Sequence, residues 1–287
     1  MKHLAMLSEL MKVRISVVST LSAVTGFAAA AHGFSVGTAL ACLGVFLLAA
    51  GASALNEVQE RHLDARMERT RHRPIPSGRI SAQAALAVAI GTSACGFAVL
   101  WGCANLTSAL LGLAALGWYN GVYTYLKRVT AFAVVPGSVI GAIPPAIGWT
   151  AAGGDLLDAR LLALCFFFFV WQVPHFWLLL FRLGKDYENA GFPTLTQLFS
   201  TAQLGRLTFV WMVATGVSSL LIPLFGLSAS PWIALALAAS GAWLCVVASR
   251  LVRAEEKQPK LRLAFRDINI FALLVMGLVT LDAVVPL

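Results

Sequence analysis

Nine apolar runs divide this chain, each about as long as a helix that crosses a bilayer. They cover residues 13–32, 35–56, 82–101, 106–126, 131–151, 160–181, 207–226, 231–251 and 268–285. About 20 residues of helix span the hydrocarbon of a membrane. Of the 287 residues, 59% are hydrophobic and 12% are charged, whereas a soluble domain carries about 25% charge. One aqueous core cannot hold that much apolar surface, so the bilayer is the solvent for most of the chain. The predicted fold class is all-α, a polytopic membrane bundle of nine helices. It forms a single integral-membrane domain over 1–287, with no soluble domain and no repeat.

Three connections are long and polar: 57–81, 182–206 and 252–267. With the N-terminus placed inside, all three fall on one side, and so does every Lys and Arg except Arg160. One missed span would invert every later loop and destroy that asymmetry. Cytoplasmic loops hold the excess of Lys and Arg, so the N-terminus is expected in the cytoplasm and the C-terminus in the periplasm. The net charge of +8 is then a topology signal and does not point to nucleic acid. The polar groups gather at one mouth, which predicts a central cavity opening to the cytoplasmic side. A transporter would instead need working groups deep in several spans and on both faces. The first apolar run is too long for a signal peptide, and no Arg/Ser-rich presequence precedes it, so a bacterial inner membrane is expected. Cys42, Cys95, Cys103, Cys165 and Cys245 are scattered through apolar stretches with no CxxC spacing, which suggests neither disulfides nor a zinc site.

Asn56, Glu60 and Asp64 are spaced i, i+4, i+8 where the second run ends, so on a helix they share one face. Oxygen ligands of this kind suit Mg²⁺, which is commonly held by a few carboxylates together with substrate phosphates. A lone ExxxD pattern would usually be a solvated helix end, with Glu57 and Glu60 pairing with neighbouring cations. Here Arg66, Arg69, Arg71 and Arg73 follow at once, and a guanidinium fork matches phosphate oxygens. Carboxylates and arginines together describe a metal–diphosphate site better than either alone. Pro74 and Pro76 then end any helix. Further on, WYNGVYTYLKRVT sets Tyr119, Tyr123 and Lys127 on one stripe with Arg128 beside it. Rings below a cation can stabilise a developing carbocation while Lys127 and Arg128 hold a leaving anion. An aromatic belt with topological anchors reads equally well from these residues alone.

The string NxxxExxxDxxMxRTxxRPxPSGxI resembles the first Asp-rich motif of the UbiA-type intramembrane prenyltransferases. YNxxYTxLKRxT, GAIPPAIGW (141–149) and FVWQVPHFWLLLFRLGKDYENAGFPTL (169–195) resemble the branch that farnesylates protoheme IX, and WQxPHFW is the most branch-specific of them. The resemblance implies Mg²⁺ held by Asn56, Glu60, Asp64 and Asp186, with Tyr119 and Tyr123 also in the catalytic set. It implies diphosphate bound by Arg69, Arg71, Arg73, Lys127, Arg128 and Lys185, and an acceptor met by Trp171, Gln172 and His175. The implied partners are farnesyl diphosphate, heme B and the lipid bilayer, with association with heme A synthase or a terminal oxidase pathway as a further expectation. MKVRIS resembles the family's Lys-Pro-Arg entry to the first span, with Lys12 and Arg14 as diphosphate contacts or topological anchors. Glu60 and His62 replace aspartates of the branch, so the second position loses a carboxylate. Ala133, Pro136 and Ser138 also depart from it, on what is expected to be the acceptor side. An aromatic quinone-precursor or chlorophyll-type acceptor is the alternative within the family. A heme-binding membrane subunit would need paired mid-span histidines, and only His175 is available.

Overall fold

The computed structural model describes residues 2–252 and 258–285. Among these the regular structure is helical throughout. A short amphipathic helix α1 (Lys2–Leu10) leads into α2 (Val13–Ala31) and α3 (Val36–Asp64). After a turn-rich loop come α4 (Ala82–Cys103) and α5 (Leu106–Leu116). α5 runs without a break through a π-helical stretch, Gly117–Tyr123, into α6 (Thr124–Leu126). The chain continues through α7 (Val134–Gly137), α8 (Val139–Ala151), α9 (Ala159–Asn189), α10 (Leu195–Leu198), α11 (Thr201–Ser218), α12 (Leu221–Leu224), α13 (Pro231–Val252) and α14 (Gln258–Val284).

Eight helical segments are long and apolar enough to cross a membrane. The ninth expected span, 106–126, is present as α5, the π-stretch and α6 in sequence. The chain is therefore a multi-pass membrane protein, and the count of nine rests on joining those three pieces. Consecutive spans pack as neighbours, and α14 packs on both α13 and α2, so the last helix closes against the first.

Close backbone approach holds part of this ring. A Cβ on Gly26 would collide with the Pro145 carbonyl, and one on Gly148 with the Ala23 carbonyl. Small residues let membrane helices approach this way, since hydrocarbon offers no hydrophobic drive for helices to associate. Further out, Asn105 caps α5 by accepting from Ser108 N and donates to the Thr150 carbonyl at 2.6 Å, tying α5 to α8.

Several boundaries differ from the apolar runs. The second run ends at residue 56, yet α3 continues to Asp64. The sixth ends at 181, yet α9 continues to Asn189. In both cases the extension is polar, in α3 with its acidic groups buried and in α9 with Arg182 and Lys185 exposed, and hydropathy registers neither as helix. The fifth run begins at 131, whereas helix begins at Val134 and is interrupted at Ser138. Part of the expected 252–267 loop is the start of α14. Arg253 and Lys257 of that loop lie outside the described residues.

Candidate active site

The polar end of α3 is buried. Asn56, Glu57, Glu60 and Asp64 expose between 0% and 4% of their surface. Burial of three carboxyl groups is costly unless they are paired, and two of them are paired with cations from other segments. Lys127 Nζ donates to Glu60 Oε2 at 2.7 Å, and Arg73 donates to Asp64 Oδ2 at 2.7 Å. Asn56 lies between the α1–α2 turn and α6: Lys12 Nζ donates to its Oδ1 at 3.1 Å, while its Nδ2 donates to Thr124 Oγ1 at 3.1 Å. One mouth of the bundle thus gathers three cations from three separate connections. Burial draws the Lys12 ammonium down to about 7, and repulsion from Arg73 and Lys127 adds to the shift.

These pairs leave something over. Glu60 Oε1, Asp64 Oδ1 and Glu57 Oε2 are buried and accept no hydrogen bond. Unsatisfied buried acceptors are costly and call for an explanation. Oxygen atoms of this kind on one helical face suit a hard divalent cation, so the residues fit Mg²⁺. Among the described residues no group of three or more His, Cys, Asp or Glu is arranged to hold a metal by itself. A metal here would complete its shell with substrate oxygens or water.

The loop after α3 folds back over this end. Glu57 Oε1 accepts from Ile75 N at 3.1 Å, and Thr70 Oγ1 donates to the Asp64 carbonyl at 2.9 Å. Met67 packs with Leu63, Tyr187, Ala190 and Phe192, joining this loop to the one that follows α9. Asp186 belongs to that joint: its carboxylate accepts from Glu68 N at 2.8 Å and from Arg69 N at 3.3 Å.

The other expected residues separate into two groups. Arg73 and Lys127 face the acidic cluster. Arg69 and Lys185 are exposed, and Arg71 pairs with Glu68 at the surface. Arg128 donates to the Gln59 carbonyl and stacks over Tyr125, on a different side of the helix from Lys127. His62 is exposed and faces away from the cluster. Glu57, left out of the ligand set expected from sequence, is fully buried. Its i+3 spacing to Glu60 is the signal that could have placed it on the same face.

Tyr119 and Tyr123 stack with centroids 5.9 Å apart and planes 22° apart. Both lie in the π-stretch, and π-bulges are frequent at functional sites. Lys127 Nζ sits 5.4 Å from the Tyr123 ring and 5.9 Å from the Phe192 ring. Beside it lies a small, mostly apolar cleft of about 50 Å³, lined by residues of α6–α7, α9 and the 192–194 segment. On the α14 side of α9, Trp171 Nε1 donates to the Ile268 carbonyl at 3.1 Å, and His175 packs on Trp171 and Phe265. His175 Nδ1 is buried without a partner. Gln172 lies against Gly141, where a Cβ would strike its carbonyl oxygen.

Comparison with known proteins gives the arrangement a lineage. Residues 17–274 match the UbiA prenyltransferase family. Protoheme IX farnesyltransferase of Geobacter sulfurreducens is 45% identical over 231 residues, covering 78% of this chain and 84% of that one. Protoheme IX farnesyltransferase of Oleidesulfovibrio alaskensis is 34% identical over 97% of this chain and 96% of its own. Among solved structures, one described for digeranylgeranylglyceryl phosphate synthase superposes with a TM-score of 0.80 at 14% identity, covering 99% of each chain. A UbiA homolog from Archaeoglobus fulgidus bound to GPP and Mg²⁺ superposes with a TM-score of 0.68 at 16% identity, covering 96% of this chain and 99% of that one. With this fold, this buried acid–base cluster and these relatives, the chain belongs to the UbiA prenyltransferase family.

Proposed function

We propose that this protein transfers the farnesyl group of farnesyl diphosphate to a vinyl group of protoheme IX, giving heme O. The observation that carries the reading is the pair of buried carboxylates, Glu60 and Asp64. Each is held by a cation from another segment and each keeps one oxygen free. The two relatives named protoheme IX farnesyltransferase direct the choice of acceptor.

In this reading Asn56, Glu60 and Asp64 hold Mg²⁺, with Asp186 completing the site from α9. Bound Mg²⁺ would neutralise charge on the diphosphate and ease its departure. Arg73, Lys127 and Lys12 bind the diphosphate oxygens and stabilise the charge that grows as the allylic C–O bond breaks. The stacked Tyr119 and Tyr123 rings face the carbocation that remains. The apolar cleft excludes water until the acceptor carbon attacks. Attack by a heme vinyl group moves the positive charge onto the acceptor, and later addition of water gives a hydroxyethylfarnesyl substituent. Trp171, Gln172 and His175 position the porphyrin, with the free Nδ1 of His175 available to the iron. The site faces the cytoplasm of a bacterial inner membrane, where product could pass to heme A synthase or a terminal oxidase pathway.

Purified protein in detergent, given Mg²⁺, farnesyl diphosphate and heme B, is expected to release diphosphate and a proton and shift the heme mass by one farnesyl group plus one hydroxyl. Product with an aromatic acceptor and none with heme would reassign the acceptor. EDTA is expected to stop turnover, and Mg²⁺ to restore it.

A further inference from the structure

We propose that Glu188 is a positioning residue for the diphosphate site: its carboxylate latches Thr194 and Thr196 and so holds the Phe192 ring against the Lys127 ammonium. Glu188 touches neither substrate and acts through Lys127, so the assignment rests on the reaction proposed above, in which that lysine binds the diphosphate.

α9 ends in a turn that fixes where Phe192 stands. Gly191 adopts φ +89°, a left-handed conformation that glycine takes without a Cβ penalty. Gly191 N donates to the Glu188 carbonyl at 2.9 Å, and Phe192 N donates to the Tyr187 carbonyl at 3.0 Å. These are the paired bonds of a helix that stops at a glycine. The Phe192 and Tyr187 rings meet with centroids 5.5 Å apart and planes at 62°, and Phe192 is buried with Met67 and Ala190. Pro193 follows, and its ring fixes φ, which leaves little slack between Phe192 and Thr194. Glu188 then closes the turn from its own helix. Its Oε1 accepts from Thr194 Oγ1 at 2.7 Å and from Thr196 Oγ1 at 2.6 Å. Hydrogen bonds to a carboxylate are shorter and stronger than neutral ones. Thr196 sits close on α9, since a Cβ on Gly184 would meet its Oγ1 at 2.9 Å.

The turn matters because of what Phe192 touches. Lys127 Nζ lies 5.9 Å from the Phe192 ring and 5.4 Å from the Tyr123 ring while donating to Glu60. A lysine ammonium rides on a flexible four-carbon stem, so these contacts decide where it stands. Glu60 and Tyr123 sit on helices, whereas Phe192 comes from a connecting segment and keeps its place only while that segment is held. Glu188 lies two positions past Asp186, and two residues of α-helix turn through about 200°. The two acids accordingly serve different neighbours. Asp186 accepts from Glu68 N and Arg69 N, and Glu188 accepts from the threonines.

The test measures kcat/KM for farnesyl diphosphate, KM for heme B and the Mg²⁺ activation constant of the whole chain purified in detergent. The variants are Glu188→Ala, Glu188→Gln, Phe192→Leu and the pair Glu188→Ala with Phe192→Leu. Glu188→Ala is expected to lower kcat/KM for farnesyl diphosphate about three- to tenfold, the size of one cation–π contact. KM for heme B and the Mg²⁺ constant should stay unchanged. Glu188→Gln is expected to remain within about twofold of wild type, because an amide oxygen accepts from the same hydroxyls. Phe192→Leu keeps apolar bulk but loses the ring face, and is expected to reproduce the alanine effect, which keeps the idea testable should Glu188→Ala fail to fold. In the pair the losses should not multiply, since both act through one contact. A Gln variant as impaired as the Ala variant, with a raised Mg²⁺ requirement, overturns the inference alone, because it makes Glu188 a metal ligand. So does a multiplied loss in the pair, or an unchanged kcat/KM in folded Glu188→Ala. Wild type that consumes no farnesyl diphosphate overturns the reaction itself, and this inference with it.

Discussion

Arg71 and Arg73 sit two positions apart, and the fold gives them opposite duties. Arg71 pairs with Glu68 at the surface, where both side chains are more than half exposed. Such a pair is worth about 0–1 kcal/mol. Arg71→Ala is therefore expected to keep turnover within about twofold of wild type. Arg73 pairs with Asp64, whose side chain is 1% exposed. Removing one member of a buried pair leaves an uncompensated charge at a cost of about 3–5 kcal/mol. Arg73→Ala is expected to lower both the thermal midpoint and the diphosphate-release rate. Asp64→Asn, nearly isosteric, is expected to abolish turnover, by about 10²–10³-fold or more, with helical circular dichroism unchanged. Full activity in that variant would remove Asp64 from the site. His62 and Glu57 show what spacing alone leaves open: His62 is exposed, while Glu57, unremarkable in the sequence, lies inside the cluster.

Among the helices, the π-stretch Gly117–Tyr123 determines where Lys127 points. A π-helical turn accommodates an extra residue within a helix, and each residue of an α-helix advances about 100°. Deleting Gly121 is expected to rotate the following residues by about that angle and turn Lys127 away from Glu60. The protein should still insert and stay helical, while diphosphate release is lost; an active deletion variant would show that the π-register does not matter. Close packing of α2 on α8 sets a second constraint. At Gly26 an added Cβ meets backbone, which cannot move aside as a side chain can. Gly26→Ala is expected to lower the thermal midpoint, by overpacking worth about 1–3 kcal/mol. Gly33→Ala, with open space around it, serves as the unperturbed control.

Across the whole molecule, one end of the bundle carries the acid–base cluster and the loops that cover it, and the other carries Arg160 stacked over Trp149. The proposed orientation places the first end in the cytoplasm. In a variant with its five cysteines replaced by alanine, a cysteine at exposed Ser77 is expected to react with an impermeant maleimide only from the cytoplasmic side. One at Leu157, 77% exposed, is expected to react only from the periplasmic side. The reverse pattern would invert the topology.

The all-helical, multi-pass build and the stripe Asn56–Glu60–Asp64 were legible in the sequence, and the count of nine spans only approximately, because length, hydropathy and i, i+4 spacing are local properties of a helix in lipid. Pairing was not local. Lys12, Arg73, Lys127 and Asp186 lie between 9 and 118 positions from the groups they bond, and no pattern along the chain says which arginine turns inward. Only the closed bundle decided that, because burying a carboxylate forces a cation from some other segment to meet it.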